Sequence, residues 1–524
     1  MSPSIVDMIA CVLRLTIDSF TARFRLSRTF ALFAVRNRKQ RTLFMQLNSK
    51  YLHSQLLLIA VLLILSLPGF AAPVAQVGES IDKILASPSM AHGIQGVYIQ
   101  SMDSGKIIYN HNGDLLLTPA SNMKMIATAA ALDLLGTDYR MTTSIFAVKP
   151  GKDGVVRGDL VIVGGGDSTL TTDDLQKMID DLKSKGIKSI RGNIVGDDTY
   201  FDDQRRGDSW TIDDDPWYYA AQISGLCVNR NVVDVYLKPG ARIGSPAIIE
   251  VKPDIKYMTF RNECITGAAG SESTAGVTRE LKTNIIQSFG SLPLDYKSDS
   301  PVEKITVDEP TLYVSALFRA MLIQNGIKVR GKAMRGTKPA DAELIVSHDS
   351  PALSELVKLL NKPSDNFMAE CLMKTIGKKL GTAGSTDAGA DVVYKWLKSF
   401  GADTDLVAIA DSSGLSRRNL VAPQLLVSIL THMYKTKAYD AYSNSFPIAG
   451  VDSHLKDRML NSPAVNNVKA KTGYIRYVCS LSGYVKTLSG ENLAVSIILN
   501  HHRCELAQAY EIQDAVFVAL ASSN

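Results

Sequence analysis

The signatures of several common protein classes are missing from this chain. It has only six cysteines in 524 residues, and no two of them form a C-x-x-C pair. Zinc knuckles and disulfide-rich scaffolds both need closely spaced cysteines, so neither is expected. The default interpretation is that the cysteines are small buried hydrophobic residues, with one structural disulfide left open as an alternative.

Motifs for nucleotide, metal and histidine-dependent chemistry are missing as well. Gly164–Gly166 is not G-x-G-x-x-G, and no G-x-S-x-G serine motif occurs. The pair His501-His502 has no third ligand at a recognisable spacing. The acid-rich segment 197–215 lacks the EF-hand pattern and is interpreted as a solvated loop. We therefore expect neither a metal nor a nucleotide, and a Ser-His-Asp hydrolase is disfavoured.

No large excess of either charge marks the chain. Its 57 basic and 52 acidic residues give a net charge of +5, and residues 1–72 alone hold nine basic residues against two acids. The remainder is therefore close to neutral, at −2. Binding to nucleic acid depends on a clustered basic face that neutralises phosphates. A nucleic acid is therefore not expected as a partner.

The apolar run near the N-terminus is too short for a comfortable membrane span, which takes about 20 residues. Leu56–Leu67 has twelve residues, follows a basic flank and precedes small residues at Gly69 and Ala71. This pattern predicts a secretory signal peptide cleaved between Ala71 and Ala72. An uncleaved anchor is the alternative, and translation from Met45 would give a compact signal. We expect an exported protein, in the periplasm or at the outer face of the cytoplasmic membrane.

The order of predicted elements indicates an α+β fold. A strand hairpin within 96–109 opens the mature chain, three strands within 468–499 close it, and helices lie between. This order predicts one antiparallel sheet assembled from both termini and flanked by helices. The expected division is a leader and signal peptide (1–71), a first part of the main domain (72–144), one or two inserted strand-rich domains (145–344) and a second part (345–524).

The first of three candidate motifs is Ser121-Asn122-Met123-Lys124, an S-x-x-K at the start of a predicted helix. Residues three apart lie on one helical face, so the hydroxyl and the amine can meet. The helix N-terminus adds free N–H groups, and a desolvated lysine can act as a base. Alone the pattern is weak, because Ser80–Lys83 and Ser453–Lys456 also fit it.

Two further motifs follow in order. Ser364-Asp365-Asn366 precedes a predicted helix, and Lys471-Thr472-Gly473 lies on a predicted strand. Taken singly, each would be interpreted as structural: a helix N-cap for Ser364, and a turn or strand end for Lys471–Gly473. The order S-x-x-K, S-D-N, K-T-G is the combination found in serine penicillin-recognising enzymes.

With this combination, the chain resembles the D-alanyl-D-alanine carboxypeptidases/endopeptidases of the low-molecular-mass, class C penicillin-binding proteins. The resemblance runs from about residue 78 to the C-terminus. It also covers four further stretches: Val163–Asp167, Asn231–Val235, Asp411–Arg417 and Leu481–Val485. The 243 residues from Ser121 to Ser364 far exceed the spacing in simple β-lactamases, and this family fills that gap with inserted domains.

The resemblance implies a penicillin-binding/β-lactamase-like transpeptidase domain with inserted strand-rich domains. It also implies a serine peptidase that acts on the D-Ala-D-Ala end, or on the D-Ala cross-links, of peptidoglycan peptides and is acylated by β-lactam antibiotics. No cofactor is implied. A β-lactamase and a non-catalytic cell-wall-binding scaffold are the alternatives. The sequence does not decide whether the protein acts mainly as a carboxypeptidase or as an endopeptidase, and it leaves the oligomeric state open.

The family mechanism assigns a role to each motif. Ser121 is the nucleophile and Lys124 takes its proton, Ser364 relays a proton to the leaving amine, Asn366 positions substrate and Lys124, and Lys471 supplies positive charge. The implied substrate-binding residues are Asp365, Thr472, Gly473 and Tyr474. Tyr474 stands where relatives usually carry Ser or Thr. One hydroxyl contact to the substrate carboxylate is therefore missing, while the N–H groups of residues 121 and 474 still suit an oxyanion hole.

Overall fold

The N-terminal part of the fold is a helix, a hairpin and the helix that follows the first serine motif. Its elements are α1 (Val77–Leu85), β1 (Ile94–Ser101), β2 (Ile107–His111), a 3-10 turn (Ala120–Asn122) and α2 (Met123–Leu135). The computed structural model describes residues 77–149 and 151–524. The predicted leader, its cleavage site and Met45 therefore lie outside the described residues.

Short strands and helices α3 and α4 fill the middle of the chain. In order they are β3 (Thr142–Val148), β4 (Val155–Val156), β5 (Leu160–Val163), α3 (Thr172–Ser184), β6 (Ser189–Ile190), β7 (Ile194–Asp197), β8 (Val232–Lys238), β9 (Ile248–Lys252), β10 (Thr259–Asn262), β11 (Ile265–Gly267), β12 (Gly276–Arg279), β13 (Ile285–Phe289), β14 (Ser291–Pro293), β15 (Glu303–Thr306), α4 (Pro310–Gln324), β16 (Lys328–Val329), β17 (Ala333–Arg335) and β18 (Ala342–Asp349).

The C-terminal part is mostly helical until its last three strands. Its elements are α5 (Leu353–Asn361), α6 (Asn366–Leu380), α7 (Thr386–Ser399), β19 (Val407–Ala408), β20 (Leu420–Val421), α8 (Pro423–Tyr434), α9 (Tyr439–Ser443), β21 (Lys469–Ile475), β22 (Val478–Lys486), β23 (Asn492–Asn500) and α10 (Leu506–Ala521).

Both ends of the chain meet in one five-stranded sheet. The strand order is β2-β1-β23-β22-β21, and every neighbouring pair is antiparallel. The N-terminal strand β1 therefore lies between β2 and the C-terminal strand β23. The predicted antiparallel sheet built from both termini is confirmed.

Helices cover both faces of this sheet. Successive residues of a strand point to opposite faces, and along β23 Ala494 and Ile498 pack with the helical cluster of α2 and α5–α8. Val495, Ile497 and Leu499 pack on the other face with α1 and α10. The result is a helix–sheet–helix arrangement, as the α+β interpretation requires.

The middle of the chain builds its own sheets around its own apolar core. Its largest sheet has the order β17-β7-β5-β3-β18, and smaller sheets include β15-β8-β9 and β10-β13-β12. A continuous cluster of buried side chains runs from Ile145 to Val346 and includes both α3 and α4. Strand-and-turn sequence in this region does not predict α3, although Thr171 and Asp174 form a capping box at its start and Leu175, Met178 and Ile179 are its buried face.

The acid-rich segment 197–215 differs from its prediction. Asp198 and Asp215 are buried rather than solvated. Asp198 pairs with Arg205 and Arg335, and Asp215 pairs with Arg206 and Arg279. A buried carboxylate needs a compensating partner, and these partners lie up to 137 residues away in sequence. The local sequence pattern therefore could not show that the acids are structural.

Among the described residues, no helix combines the length and apolar character that crossing a membrane requires.

Candidate active site

The turn that carries Ser121 is held against the edge of the sheet. The Ser480 hydroxyl donates to the Pro119 carbonyl at 2.7 Å, and the amide of Asn122 donates to Ser482 at 2.6 Å. Gly473 of β21 lies so close to the turn that an added Cβ would be 3.0 Å from the Ser121 nitrogen and 2.9 Å from the Pro119 oxygen. Glycine at position 473 therefore lets the strand backbone reach Ser121.

Lys124 is fully buried and has three hydrogen-bond partners. Its Nζ lies 2.9 Å from Ser121 Oγ, 2.6 Å from Asn366 Oδ1 and 2.5 Å from the Ser413 carbonyl oxygen. The amide and carbonyl oxygens can only accept, whereas the Ser121 hydroxyl can also donate. As an ammonium, Lys124 donates to all three partners. As a neutral amine, its two N–H groups serve the two acceptors and its lone pair can receive the Ser121 proton.

The electrostatic environment of Lys124 favours that neutral form. Burial lowers its pKa to about 8, against the attraction of Asp411, Asp365 and Glu370, which acts in the opposite direction. A charged ammonium loses its hydration when it is buried, which is why desolvation dominates here. With a pKa of about 8, roughly a tenth of the lysine is unprotonated at pH 7 and about half at pH 8.

Asn366 is oriented by the middle of the chain, the predicted inserted region (145–344). Its Nδ2 donates to the Tyr219 carbonyl at 2.9 Å, which leaves Oδ1 to accept from Lys124. Asp365, not Ser364, is the N-cap of α6: its carboxylate accepts from the N–H of Met368 at 2.9 Å and pairs with Arg230. The structural interpretation of Ser364 as an N-cap is therefore wrong, and the carboxylate of Asp365 is engaged within the protein.

A second serine–lysine pair faces the first. Lys471 Nζ donates to Ser364 Oγ at 2.9 Å and to the Thr472 carbonyl at 2.8 Å. Burial, and then repulsion by Lys124, hold the pKa of Lys471 well below its usual range. Ser364 has a φ of +63°, an uncommon conformation for a serine, at the bend that brings its hydroxyl to Lys471.

The remaining predicted residues line the same edge. Thr472 is largely buried, whereas the side chain of Tyr474 is 51% exposed at the open side of β21. The other S-x-x-K matches are not part of the site. Ser80 is an exposed residue of α1, and the Ser453 hydroxyl bonds to the Lys362 carbonyl. The structure therefore brings together all three motifs of the combination.

Some residues around the site have no counterpart in the motif analysis. Glu370, four residues beyond Asn366, accepts from the N–H groups of Ser412 and Ser413. The indole of Trp210 in the inserted region donates to Asp411 at 2.8 Å. The Asp411–Arg417 stretch contributes to the family resemblance, but the sequence pattern assigns it no task. Trp210 lies some 200 residues before Asp411 in the sequence, so no local pattern could indicate their contact.

A cleft of about 1080 Å³ opens beside Ser364 and Asn366. Most of its other lining residues come from the inserted region, among them Arg230, Lys252 and Lys304, and Leu359 and Pro363 complete the wall. The cleft is large enough for a ligand well beyond the size of a dipeptide.

The sequence matches the model of the D-Ala-D-Ala carboxypeptidase 3 (S13) family over residues 77–522. The chain belongs to this family. A D-alanyl-D-alanine carboxypeptidase of Actinomadura sp. (strain R39) is 38% identical to this S13 protein over 466 residues, 86% of this chain and 85% of the relative. The predicted resemblance is confirmed.

Solved structures agree with the fold. Penicillin-binding protein 4 of Haemophilus influenzae is 26% identical, with a TM-score of 0.74 over 84% of this chain and 99% of that one. The same protein complexed with a β-lactam gives a TM-score of 0.68 at 25% identity, over 83% and 98% of the two chains. The penicillin-binding/β-lactamase-like fold is confirmed, and this S13 protein is a serine-type peptidase; the β-lactamase and scaffold alternatives are not favoured.

Proposed function

We propose that this S13 peptidase cleaves the D-Ala-D-Ala terminus, or the D-Ala cross-links, of peptidoglycan peptides through an acyl-enzyme on Ser121. The observation that carries the proposal is the bonding of Lys124. Its Nζ lies 2.9 Å from Ser121 Oγ and is held there by two acceptors, so that on loss of a proton its lone pair can point at Ser121. A neutral amine within hydrogen-bond reach of the attacking hydroxyl is what general-base catalysis requires.

In the acylation step, Ser121 Oγ forms a bond to the carbonyl carbon of the penultimate D-alanine while its proton passes to Lys124. The backbone N–H groups of residues 121 and 474 stabilise the oxyanion, each typically by about 3–4 kcal/mol. Collapse of the tetrahedral intermediate breaks the C–N bond, and the leaving amine receives a proton through Ser364. Lys471, hydrogen-bonded to Ser364, supports that transfer and adds positive charge.

Substrate is held along β21. Thr472 donates to the terminal carboxylate, Gly473 lets the substrate approach the backbone, and Asn366 positions the acyl part. Asp365 contributes to substrate binding indirectly, because it is the N-cap of α6 and so places Asn366 beside the substrate. Water then hydrolyses the ester and releases Ser121 with the shortened peptide.

The place of action follows from the substrate, which lies outside the cytoplasm. We propose export to the periplasm or the outer face of the cytoplasmic membrane, directed by Leu56–Leu67 with cleavage between Ala71 and Ala72. Sequencing the N-terminus of the exported protein tests this: a retained apolar run would make it an anchored protein.

The decisive experiment is acylation by benzylpenicillin. The protein should gain one penicilloyl mass on Ser121, and the adduct should persist for minutes. Ser121→Ala should abolish labelling and D-alanine release, whereas Ser80→Ala, in a second S-x-x-K outside the site, should change neither. A folded protein that takes no label contradicts the serine mechanism, and rapid turnover of the label would indicate a β-lactamase.

A further inference from the structure

Behind Lys124 lies a buried carboxyl group, that of Glu370, which has no place in the mechanism above. Glu370 is in the first turns of α6 and has no exposed surface. Its Oε1 accepts from the backbone N–H groups of Ser412 and Ser413, at 3.0 and 2.8 Å. Its Oε2 has no hydrogen-bond partner within the part of the chain that the structure describes.

The loop that Glu370 holds is the loop that holds the lysine. The carbonyl of Ser413 accepts from Lys124 Nζ, and the N–H of the same residue donates to Glu370. The next residue, Gly414, has a φ of +84° and lies so close to the Ser121 turn that an added Cβ would be 1.8 Å from the Ala120 oxygen. A shift of this loop therefore moves an acceptor of Lys124.

We propose that Glu370 is a positioning residue for acylation, whose carboxyl group fixes the Ser412–Ser413 backbone so that the Ser413 carbonyl holds the amine of Lys124 against Ser121. The inference rests on the proposed role of Lys124 as the base. Without an acceptor at position 370, two buried N–H groups lose their partner, and the backbone of Ser412 and Ser413 is free to move to satisfy them elsewhere.

The charges around Glu370 suit a neutral carboxyl group. Asp411, from the same loop, accepts five hydrogen bonds from Gly414, Ser416, Ser413, Asn419 and Trp210. Burial and then Asp411 raise the pKa of Glu370 to about 8. Two other charged residues near Glu370 are already paired: Lys374 of α6 with Asp202, and Asp365 with Arg230. The charged group of α2 that Glu370 faces is Lys124.

Two carboxyl groups in one buried site repel each other when both are charged, which adds to the effect of burial on Glu370. A neutral Glu370 keeps both backbone bonds without adding a full negative charge that would stabilise the ammonium form of Lys124. Glutamine has the same shape and the same Oε1 acceptor, so Glu370→Gln separates the acceptor from the charge.

The test measures the rate of acylation by benzylpenicillin in Glu370→Ala and Glu370→Gln, with Leu372→Ala as a control that removes another buried side chain of α6. We expect Glu370→Ala to lower the rate by about 10²-fold, the size of effect that a misplacement of about 1 Å produces, with little change in penicillin affinity. Glu370→Gln should keep most of the rate. Leu372→Ala should lose thermal stability but not the rate of the folded protein.

A pH profile supplies a readout that a merely structural role would not change. Glu370 is neutral below about pH 8 and ionises above it, and an ionised Glu370 raises the pKa of Lys124. The profiles of the wild type and Glu370→Gln should therefore have the same shape on the acid side, while the wild type should lag behind the glutamine variant as the pH rises through 8. A wild-type rate in Glu370→Ala, equal loss in the alanine and glutamine variants, or wild-type and glutamine profiles of the same shape above pH 8 would each overturn the proposal. If the alanine variant does not fold, the glutamine profile still decides. Absence of label in the wild type itself would contradict the proposed function instead.

Discussion

Single side chains set the pH at which this site works. Lys124 must lose its proton before it can take one from Ser121, and its pKa is lowered to about 8, chiefly by burial. We predict that the acylation rate with benzylpenicillin rises with pH and reaches half of its plateau near pH 8. Stopped-flow or quench measurements between pH 5 and 10 check this. A rate that is flat across that range would mean that another group is the base.

Removal of the base should cost far more than removal of a comparable lysine. In Lys124→Ala the nucleophile remains but is not activated, and acylation should fall by about 10² or more, the usual contribution of general-base catalysis. Lys83→Ala, at the matching position of an S-x-x-K in α1, serves as the control. Equal rates in the two variants would remove Lys124 from the mechanism.

The raised pKa of Glu370 also predicts how stability depends on pH. The folded protein holds this proton more tightly than the unfolded chain, from the ordinary value of 4.5 up to about 8. The stabilisation is therefore full below about pH 4.5 and is lost as the pH rises to 8. We expect the free energy of unfolding of the wild type to fall relative to Glu370→Gln between pH 5 and 8, measured by urea titration. A constant difference would mean that Glu370 titrates normally.

Sequence reasoning finds the residues whose chemistry is written in short motifs, and it misses the residues that orient them. Ser121 and Lys124 are three residues apart, so their contact follows from helix geometry alone. The acceptor that orients Asn366 is the Tyr219 backbone carbonyl, 147 residues away, which any residue type could supply. Glu370 could be suspected only as an acid in a helix that is otherwise buried.

Among the elements, the edge strand β21 contributes to the site mainly through its backbone. A Cβ at position 473 would lie 2.2 Å from Ser480 Oγ as well as against the Ser121 turn. We predict that Gly473→Ala folds but pushes β21 away from Ser121 and lowers acylation, because close backbone approach is lost. Gly78→Ala in α1, where a Cβ makes only an ordinary 3.6 Å contact, is the matched control. Unchanged acylation in Gly473→Ala would show that the strand can adjust.

Elements bounded by clear sequence signals are predictable, and those without them are less so. The last three strands are nearly continuous runs of buried residues and lie within one residue of the bounds that the sequence predicts, Val468–Tyr474, Cys479–Lys486 and Leu493–Leu499. Helix α2 has the bounds that the sequence predicts, Met123–Leu135, because Gly136 ends it. Helix α3 escapes prediction because its capping box and short amphipathic pattern lie among strand-like segments.

At the scale of the whole molecule, the inserted region contacts the residues that build the active site. Through Tyr219 it orients Asn366, through Trp210 it bonds Asp411, and Asp208 pairs with Arg418. We predict that excision of residues 145–344, the proposed inserted domains, abolishes acylation even by benzylpenicillin, because these partners leave with it. Activity retained on small ligands in a folded remnant would restrict the insertion to controlling access.

The cleft beside Ser364 predicts a dependence on substrate size. Lys304→Trp should narrow it and lower hydrolysis of cross-linked peptidoglycan peptides more than release of D-alanine from a short peptide, with penicillin acylation unchanged. Lys238→Trp is a matched control, since both lysine side chains are 54% exposed but Lys238 lies outside the cleft. Equal effects on short and cross-linked substrates would exclude the cleft from binding the larger part of the substrate.

The position of β1 between β2 and β23 has a consequence for the order of synthesis and folding. The ribosome adds Lys471 350 residues after Ser121. Strand β23, which pairs with β1, is made later still. A sheet closed by such distant pairings forms late, because the loop entropy must be overcome before the contacts stabilise it. A growing chain that already contains Ser121 is therefore inactive, and the peptidase becomes active only after its last strands have been synthesised and have joined the sheet.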